Sequence, residues 1–303
     1  MRVSTGPGPE TARTRGLFGE LKLTPRIGTE ITIGLESLLD GRCAAELRGI
    51  LEKRGVLIFR GLNLEDSQQL AFARTIGTVR LGDLEKRTED GKIVKQHESE
   101  DGIFKVTFDV KENPTYAQYL VGTFCWHMDG TWEEVPPLGA ILTPRVLSPE
   151  GGQTEFASTY AAYEDLPAAE KARLEKLTVT HTMEANYGSV VPNPTADQVK
   201  DWRSYPVRRH PLVWTHRSGR KSLVLSSSAA SIDGLGQGES DELLRRLWQW
   251  VTRPQYVYRH QWKMGDMLVW DNTGTMHRVL PYDRTCGRRL HRVSLVGEES
   301  IRA

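Results

Sequence analysis

Cysteine is scarce in this chain of 303 residues: Cys43, Cys125 and Cys286 are widely spaced and odd in number. Such a set builds neither a disulfide framework nor a thiolate zinc cluster, and it suits a reducing compartment. Excess charge of either sign is also missing. Lysine and arginine total 40 against 39 aspartates and glutamates, so nothing in the global charge calls for nucleic acid or a membrane surface. No apolar run approaches transmembrane length, and the opening "MRVSTGPGPETARTRG" has no signal-peptide core. Residues 1 to about 20 read as a flexible leader and 21–303 as a single cytoplasmic domain. There is no internal repeat, no low-complexity tract and no GxGxxG.

What is present is a series of short apolar runs with turn signals between them. "LTPRIGTEITIG" reads as a strand entering the fold, and "CAAELRGILEKRG" as a helix stopped at Gly55. "VLIFRG" is a buried strand, and "NLEDSQQLAFARTIG" a second helix closed by Gly77. "GAILTPRV", "TEFAST", "LTVTHTM", "YVYRHQW", "DMLVWDN" and "LHRVSLVG" continue the strands, and "HPLVWTH-RSGR-KSLVLS" predicts a hairpin around Ser218-Gly219. Two helices interrupt them, "TYAAYEDLPAAEKARLEKL" and "ESDELLRRLWQWVTRP". This rhythm predicts a mainly β (α+β) sandwich or barrel with added helices, not a βαβ sheet. Residues 80–120 are charged and irregular, too long for an ordinary connection, and are expected to form a lid.

Chemistry concentrates in "GTFCWHMDGTW", residues 122–132. On a strand, His127 and Asp129 would share one face. An imidazole and a carboxylate aimed at one point make part of a metal site. Of the other histidines, His97 lies in the charged segment, while His181, His210, His216 and His260 sit in or beside strands as ordinary hydrogen-bonded residues. His277 follows "GDMLVWDNTGTM", a strand ending in an Asp-Asn turn, which suits delivery of a polar side chain to a sheet rim. Two imidazoles and one carboxylate leave open coordination positions, as in non-haem Fe(II) oxygenases; structural zinc would want four protein ligands, often thiolates.

Two further stretches bear on an anion. In "SPEGGQTEFAS", Gly151-Gly152 makes a turn and Thr154 opens a strand. In "GRRLHRVSLVG", strand alternation puts Arg288, Leu290, Arg292 and Ser294 on one face. Two arginines there either snorkel to water from an edge or pair with anions, and the guanidinium fork suits a carboxylate.

"WHMDGTW" followed by "GAIL", "GGQT", "YAAYEDL", "WDN", "MHR" and "RRLHRVSLVG" resembles the taurine dioxygenase family of Fe(II)- and 2-oxoglutarate-dependent oxygenases, which includes aryloxyalkanoate dioxygenases. The resemblance runs from about residue 22 to 297 and is sharpest at 123–165 and 266–297. It implies a double-stranded β-helix (jelly roll) core with buttressing helices and lid insertions. It implies that His127, Asp129 and His277 bind Fe(II) and carry catalysis, with 2-oxoglutarate as cosubstrate and O2 consumed. Thr154 and Arg288, eleven residues beyond His277, match the positions that hold the far carboxylate of 2-oxoglutarate. Arg292, fifteen beyond His277, matches a second arginine that often meets the substrate's anion. Since Arg289 adjoins Arg288, a slip of one residue would exchange their roles. The charged segment at 80–120 has no counterpart in the family pattern, which leaves the substrate undefined.

The implied function is hydroxylation, or another oxidation, of a small or medium organic molecule, anionic in the favoured case, with release of succinate and CO2. Asp129 argues for oxygenation, because a halogenating relative needs a small residue there. The same centre could instead desaturate, cyclise or oxidise a heteroatom of a natural-product intermediate. A non-catalytic jelly-roll metal-binding protein would have no use for Thr154 and Arg288, and a zinc hydrolase is a more distant reading. The partner expected is a small-molecule substrate, with a homo-oligomer left open. Trp270 is expected behind His277, Phe124 and Trp126 in the core, Met128 and Gly130 beside the substrate, and Tyr116 and Tyr119 in the lid.

Overall fold

The structure, a computed structural model, describes residues 17–81, 101–114 and 116–303, together with the backbone of strands Asp83–Arg87 and Ile93–His97. Its centre is a seven-stranded sheet in the order Gly19–Lys22, Thr29–Thr32, Val56–Phe59, Met267–Asp271, Gly139–Val146, Arg289–Leu295, Phe104–Val106. Neighbours run antiparallel except for the pair Thr29–Thr32 and Val56–Phe59. A three-stranded sheet, Val257–His260, Thr154–Ser158, Thr275–Val279, lies across from it.

The near-continuous apolar runs have a simple cause: the large sheet is covered on both faces. Ile58, Ala140, Leu142, Leu268, Trp270 and Leu290 point one way, into a core shared with Phe156 and Tyr258 of the small sheet. The alternate residues Leu57, Phe59, Ile141, Met267, Val269 and Val293 point the other way. There they meet Leu47 and Leu51 of helix Ala44–Arg54 and Phe72 and Ile76 of helix Asp66–Ile76. A third core joins Ala157 and Met276 of the small sheet to Leu243, Leu244, Leu247 and Val251 of helix Gln237–Val251. Those four lie at the spacing of one helical face. The small sheet is thus held between two layers, which fixes the strands that carry Thr154 and His277.

The hairpin around Ser218-Gly219 is present as Val213–Thr215 and Lys221–Leu223. Two expectations differ. The run 159–177 is two helices, Thr159–Glu164 and Ala168–Leu174, because Pro167 lacks an N–H and disfavours helix in the residue before it. No strand surrounds His127: Ala117–Phe124 is a 3-10 helix, and His127 makes a single antiparallel bridge to His277. The supposed leader lies outside the described residues up to position 16, while Gly19–Lys22 already pairs with Thr29–Thr32. Of the supposed lid, Asp83–Arg87 pairs with Ile93–His97 and Phe104–Val106 joins the large sheet's edge; residues 82, 88–92, 98–100 and 115 lie outside the described residues. Among the described residues no helix is long and apolar enough to cross a membrane.

The strand histidines are hydrogen-bonded as expected, although His181 Nε2 is buried without a partner. His181 Nδ1 meets Ser228 Oγ, His210 Nε2 meets the Thr131 carbonyl, His216 lies between Glu299 and Ser222, and His260 between Tyr258 and Asp266.

Two predictions concern stability. A Cβ on Gly274 would stand 1.7 Å from the Tyr160 ring, so Gly274→Ala should cost about 1–3 kcal/mol or more in urea denaturation. Gly188→Ala, with nothing within 4 Å, serves as the neutral control. Burial pushes the His181 pKa from 6.5 down to about 3, with His210 adding to the effect. Between those values the unfolded chain binds a proton that the folded chain does not. Stability should therefore fall as pH drops below about 6.5, by about 1.4 kcal/mol per pH unit for this residue alone. Urea midpoints across pH 5–8 should show a shallower slope for His181→Gln.

Candidate active site

His127 and His277 face each other as a hydrogen-bonded antiparallel pair. His127 N–H donates to the His277 carbonyl (2.9 Å), and His277 N–H to the His127 carbonyl (2.8 Å). Their rings lie 4.1 Å apart between centroids. Trp270 packs against His277 at 4.8 Å and Phe156 stacks at 6.0 Å, so the expected support by Trp270 is present. Burial pushes the His277 pKa down to about 3, the neighbouring His127 acts in the same direction, and Asp129 opposes them. The ring is therefore neutral at neutral pH, the form that binds metals. His127 Nδ1 lies 2.8 Å from the Cys125 carbonyl oxygen. A carbonyl only accepts, so Nδ1 carries the proton and Nε2 keeps its lone pair.

That nitrogen lies 3.8 Å from Asp129 Oδ1, and His277 Nε2 lies 3.9 Å from Asp129 Oδ2. The three ligand atoms are all within 4.8 Å of one another, a group able to hold a metal ion. Asp129 arrives there through a turn and not along a strand. Gly130 has φ +73°, and a Cβ there would meet Pro137 Cδ at 2.4 Å, so only glycine allows this path. Gly130 shapes the loop and does not line the cavities described below. Burial works to raise the Asp129 pKa, but Arg292 and the two imidazoles outweigh it and hold the carboxyl below its ordinary value. Arg292 Nη1 is 3.4 Å from Asp129 Oδ2.

Two cavities meet at His127. The first runs from His127 and His277 to Thr154, Tyr282 and Arg288. Arg288 is 4% exposed. It donates from Nη2 to the Gly152 carbonyl at 3.0 Å and lies 4.7 Å from the Tyr282 ring centre. Its Nε has no partner, and among the described residues no carboxylate is within ion-pair reach of it. Burial pushes its pKa down, though a guanidinium stays charged at any ordinary pH. The "GGQT" turn makes room for it: at Gly152, φ is +72° and a Cβ would lie 2.9 Å from Arg288 Nε. Thr154 Oγ1 accepts a hydrogen bond from Trp262 Nε1 at 2.9 Å, leaving its own proton to donate. Arg289 is separated from this site by a register shift in the pairing with Gly139–Val146 and bonds Glu112 at 3.1 Å. Arg288, not its neighbour, is the one that reaches Thr154's cavity.

The second cavity is lined by Phe104, Tyr116, Tyr119, Trp132, Met183 and Tyr187, with Met128, Asp129 and Arg292 at its inner end. Arg292 borders both cavities and lies 4.9 Å from the Phe104 ring centre. Tyr119 donates to Asp201 Oδ2 at 2.8 Å and packs on Tyr187 at 5.1 Å. Met128, Tyr116 and Tyr119 line this second cavity, Trp126 is core, and Phe124 packs on Phe108 and Tyr282. Met183 and Tyr187, on helix Met183–Gly188, escaped sequence reasoning. Nothing in "HTMEANYG" signals a wall 60 residues away from the metal-binding motif; tertiary packing alone brings it there.

Residues 20–294 match the family model "Taurine catabolism dioxygenase TauD, TfdA family". The chain belongs to this family, and it is an Fe(II)- and 2-oxoglutarate-dependent dioxygenase. It is 33% identical over 275 residues to the alpha-ketoglutarate-dependent 2,4-dichlorophenoxyacetate dioxygenase of Burkholderia sp. (strain RASC), covering 89% of this chain and 91% of that one. It is 30% identical to the alpha-ketoglutarate-dependent sulfate ester dioxygenase of Pseudomonas putida, over 91% of this chain and 88% of that one. The crystal structure of AAD-2 in complex with Mn(II) and N-oxalylglycine superposes with a TM-score of 0.77 at 30% identity, covering 94% of this chain and 99% of that one. Its neighbours in structure thus share the TauD dioxygenase fold.

An ion held by the three side chains leads to a direct expectation. His277→Ala should weaken Fe(II) or Co(II) binding by more than the roughly 10–100-fold that follows loss of an outer contact. Anaerobic titration calorimetry would measure it, with circular dichroism reporting an intact fold. Unchanged affinity would remove His277 from the metal site.

Proposed function

We propose that His127, Asp129 and His277 hold Fe(II), that Arg288 and Thr154 hold the far carboxylate of 2-oxoglutarate, and that the product is a hydroxylated organic acid. The observation that carries this is Arg288: a buried cation with no carboxylate in ion-pair reach among the described residues, at the end of a cavity that begins at the two histidines. A buried charge left without a partner costs several kcal/mol, so such a residue is kept for an anion. The facing sheets, with the ligands at one mouth, support a double-stranded β-helix core. In this reading residues 21–303 are one domain, and the 80–120 segment, which contributes Phe104, Tyr116 and Tyr119 to the second cavity, is its lid. Three free cysteines support a cytoplasmic setting, with no nucleic-acid or membrane partner.

Bound together, iron and 2-oxoglutarate supply the oxidising chemistry: O2 is consumed, one oxygen atom goes to the substrate C–H bond, and the other to succinate formed with CO2. The protein's part is placement. Arg288 neutralises the cosubstrate's distal charge, and the Thr154 hydroxyl, oriented by Trp262, donates its proton to the same group. Arg292 stands between the cavities, where it can orient an anionic substrate while balancing Asp129. The aromatic wall of the second cavity excludes water and suits a flat apolar body. An aromatic carboxylic acid fits that combination, and both named relatives act on organic anions.

The test is succinate release over a panel of aryloxy and arylalkyl carboxylates and sulfate esters, with product mass spectrometry. Arg288→Gln should chiefly raise the KM for 2-oxoglutarate, by a factor corresponding to about 2–5 kcal/mol. Arg292→Gln should weaken the primary substrate and uncouple decarboxylation from its oxidation. If both variants show one defect confined to 2-oxoglutarate, Arg292 belongs to the cosubstrate site and the anionic substrate loses its support.

A further inference from the structure

The two imidazoles of the proposed iron site are placed by their own backbones, which bond each other directly. Asp129 has no such pairing. It lies past the end of the bridge, in the turn that Gly130 allows, and both of its backbone polar groups go to a single side chain. Asn272, 1% exposed, accepts from the Asp129 N–H at Oδ1 (2.9 Å) and donates from Nδ2 to the Asp129 carbonyl (2.9 Å). Nδ2 donates again to the Pro137 carbonyl at 3.0 Å. The orientation of the amide follows from its partners: reversed, it would set NH2 against an N–H and oxygen against two carbonyls.

We propose that Asn272 is a positioning residue for the metal-binding carboxylate, a reading that rests on the ligand set proposed above. Asn272 sits in the turn between strands Met267–Asp271 and Thr275–Val279, five residues before His277. One strand-turn-strand segment, crossing from the large sheet to the small one, therefore sets the distal imidazole through its second strand and the carboxylate through its turn. The clamp matters because Asp129 has a competing partner. Arg292 Nη1 is nearer to Oδ2 (3.4 Å) than His277 Nε2 is (3.9 Å), and a loop free to shift would let the carboxylate follow the guanidinium away from the imidazoles. With its peptide gripped on both sides, Asp129 can satisfy Arg292 only from a place that still faces His127 and His277.

Replacing the amide separates positioning from mere packing. Asn272→Ala removes all three bonds. Asn272→Asp keeps the size and the acceptor but turns an oxygen toward two carbonyls. Both variants should bind Fe(II) or Co(II) about 10–100-fold more weakly, the range of outer contacts to metal ligands. The visible spectrum of bound Co(II) should change as well, and the KM for 2-oxoglutarate at saturating metal should stay within about two-fold. A double-mutant cycle gives the sharper result. In an Asp129→Ala background, Asn272→Ala should have no further effect on metal affinity, even if it still lowers the melting temperature; Asn272→Asp is read the same way should the alanine variant not fold. If the penalty persists without the Asp129 carboxylate, or if neither single variant alters metal affinity or spectrum, Asn272 only closes the turn and the proposal falls. If Asp129→Ala itself binds metal as tightly as the unaltered chain, the ligand assignment fails first and this inference with it.

Discussion

Two backbone hydrogen bonds between His127 and His277 hold the molecule's chemistry together. They extend the small sheet by one residue pair, enough to oppose two imidazoles without committing the rest of the 122–132 segment to a strand. The segment can then turn at Gly130 and bring Asp129 back toward the same point. Had a regular strand continued, residue 129 would have been locked to the sheet's pleat and the turn toward Asn272 lost. A minimal pairing thus serves better than an extended one: it fixes two groups and leaves the third adjustable.

Charge is arranged around that pair with the same economy. Asp129 lies among two imidazoles and one guanidinium, and its carboxyl is held below its ordinary pKa because Arg292 and the imidazoles together outweigh the cost of burial. Arg288, farther along, has aromatic and carbonyl neighbours and, among the described residues, no acid in reach. The two arginines line the same cavity, yet among the described residues one faces a carboxylate and the other does not. That difference, invisible in their spacing, distinguishes the cavity's far end from its centre.

Much of this was legible in the sequence, for identifiable reasons. The apolar runs are strands because the large sheet is covered on both faces, and helices stop at Gly55 and Gly77, the first because only glycine readily takes φ +73° there. The motifs around His127, Thr154, His277 and Arg288 carried the family, and they converge in space. Strand alternation would bring His127 and Asp129 together along a pleat, whereas in the structure a turn at Gly130 does so. Pro167 was readable as a break and was passed over. Arg288 and Arg289 could not be separated from sequence, because a shift in pairing register decides which one faces inward. Helix Met183–Gly188 was beyond reach, since its place beside the metal-binding motif depends on how three layers pack.

The second cavity's outer wall consists of short pieces, the 3-10 helix Ala117–Phe124 and helix Met183–Gly188, that contribute neither histidine nor arginine to the centre. They rest on each other through Tyr119 and Tyr187, and Tyr119 is further tied to Asp201 of helix Ala196–Arg203; the histidine pair stands behind them. The fold therefore separates what is done from what it is done to. Mutations can accumulate in the wall and be tried against new compounds while the reaction continues unchanged, which makes this architecture easy to divert to an unfamiliar compound.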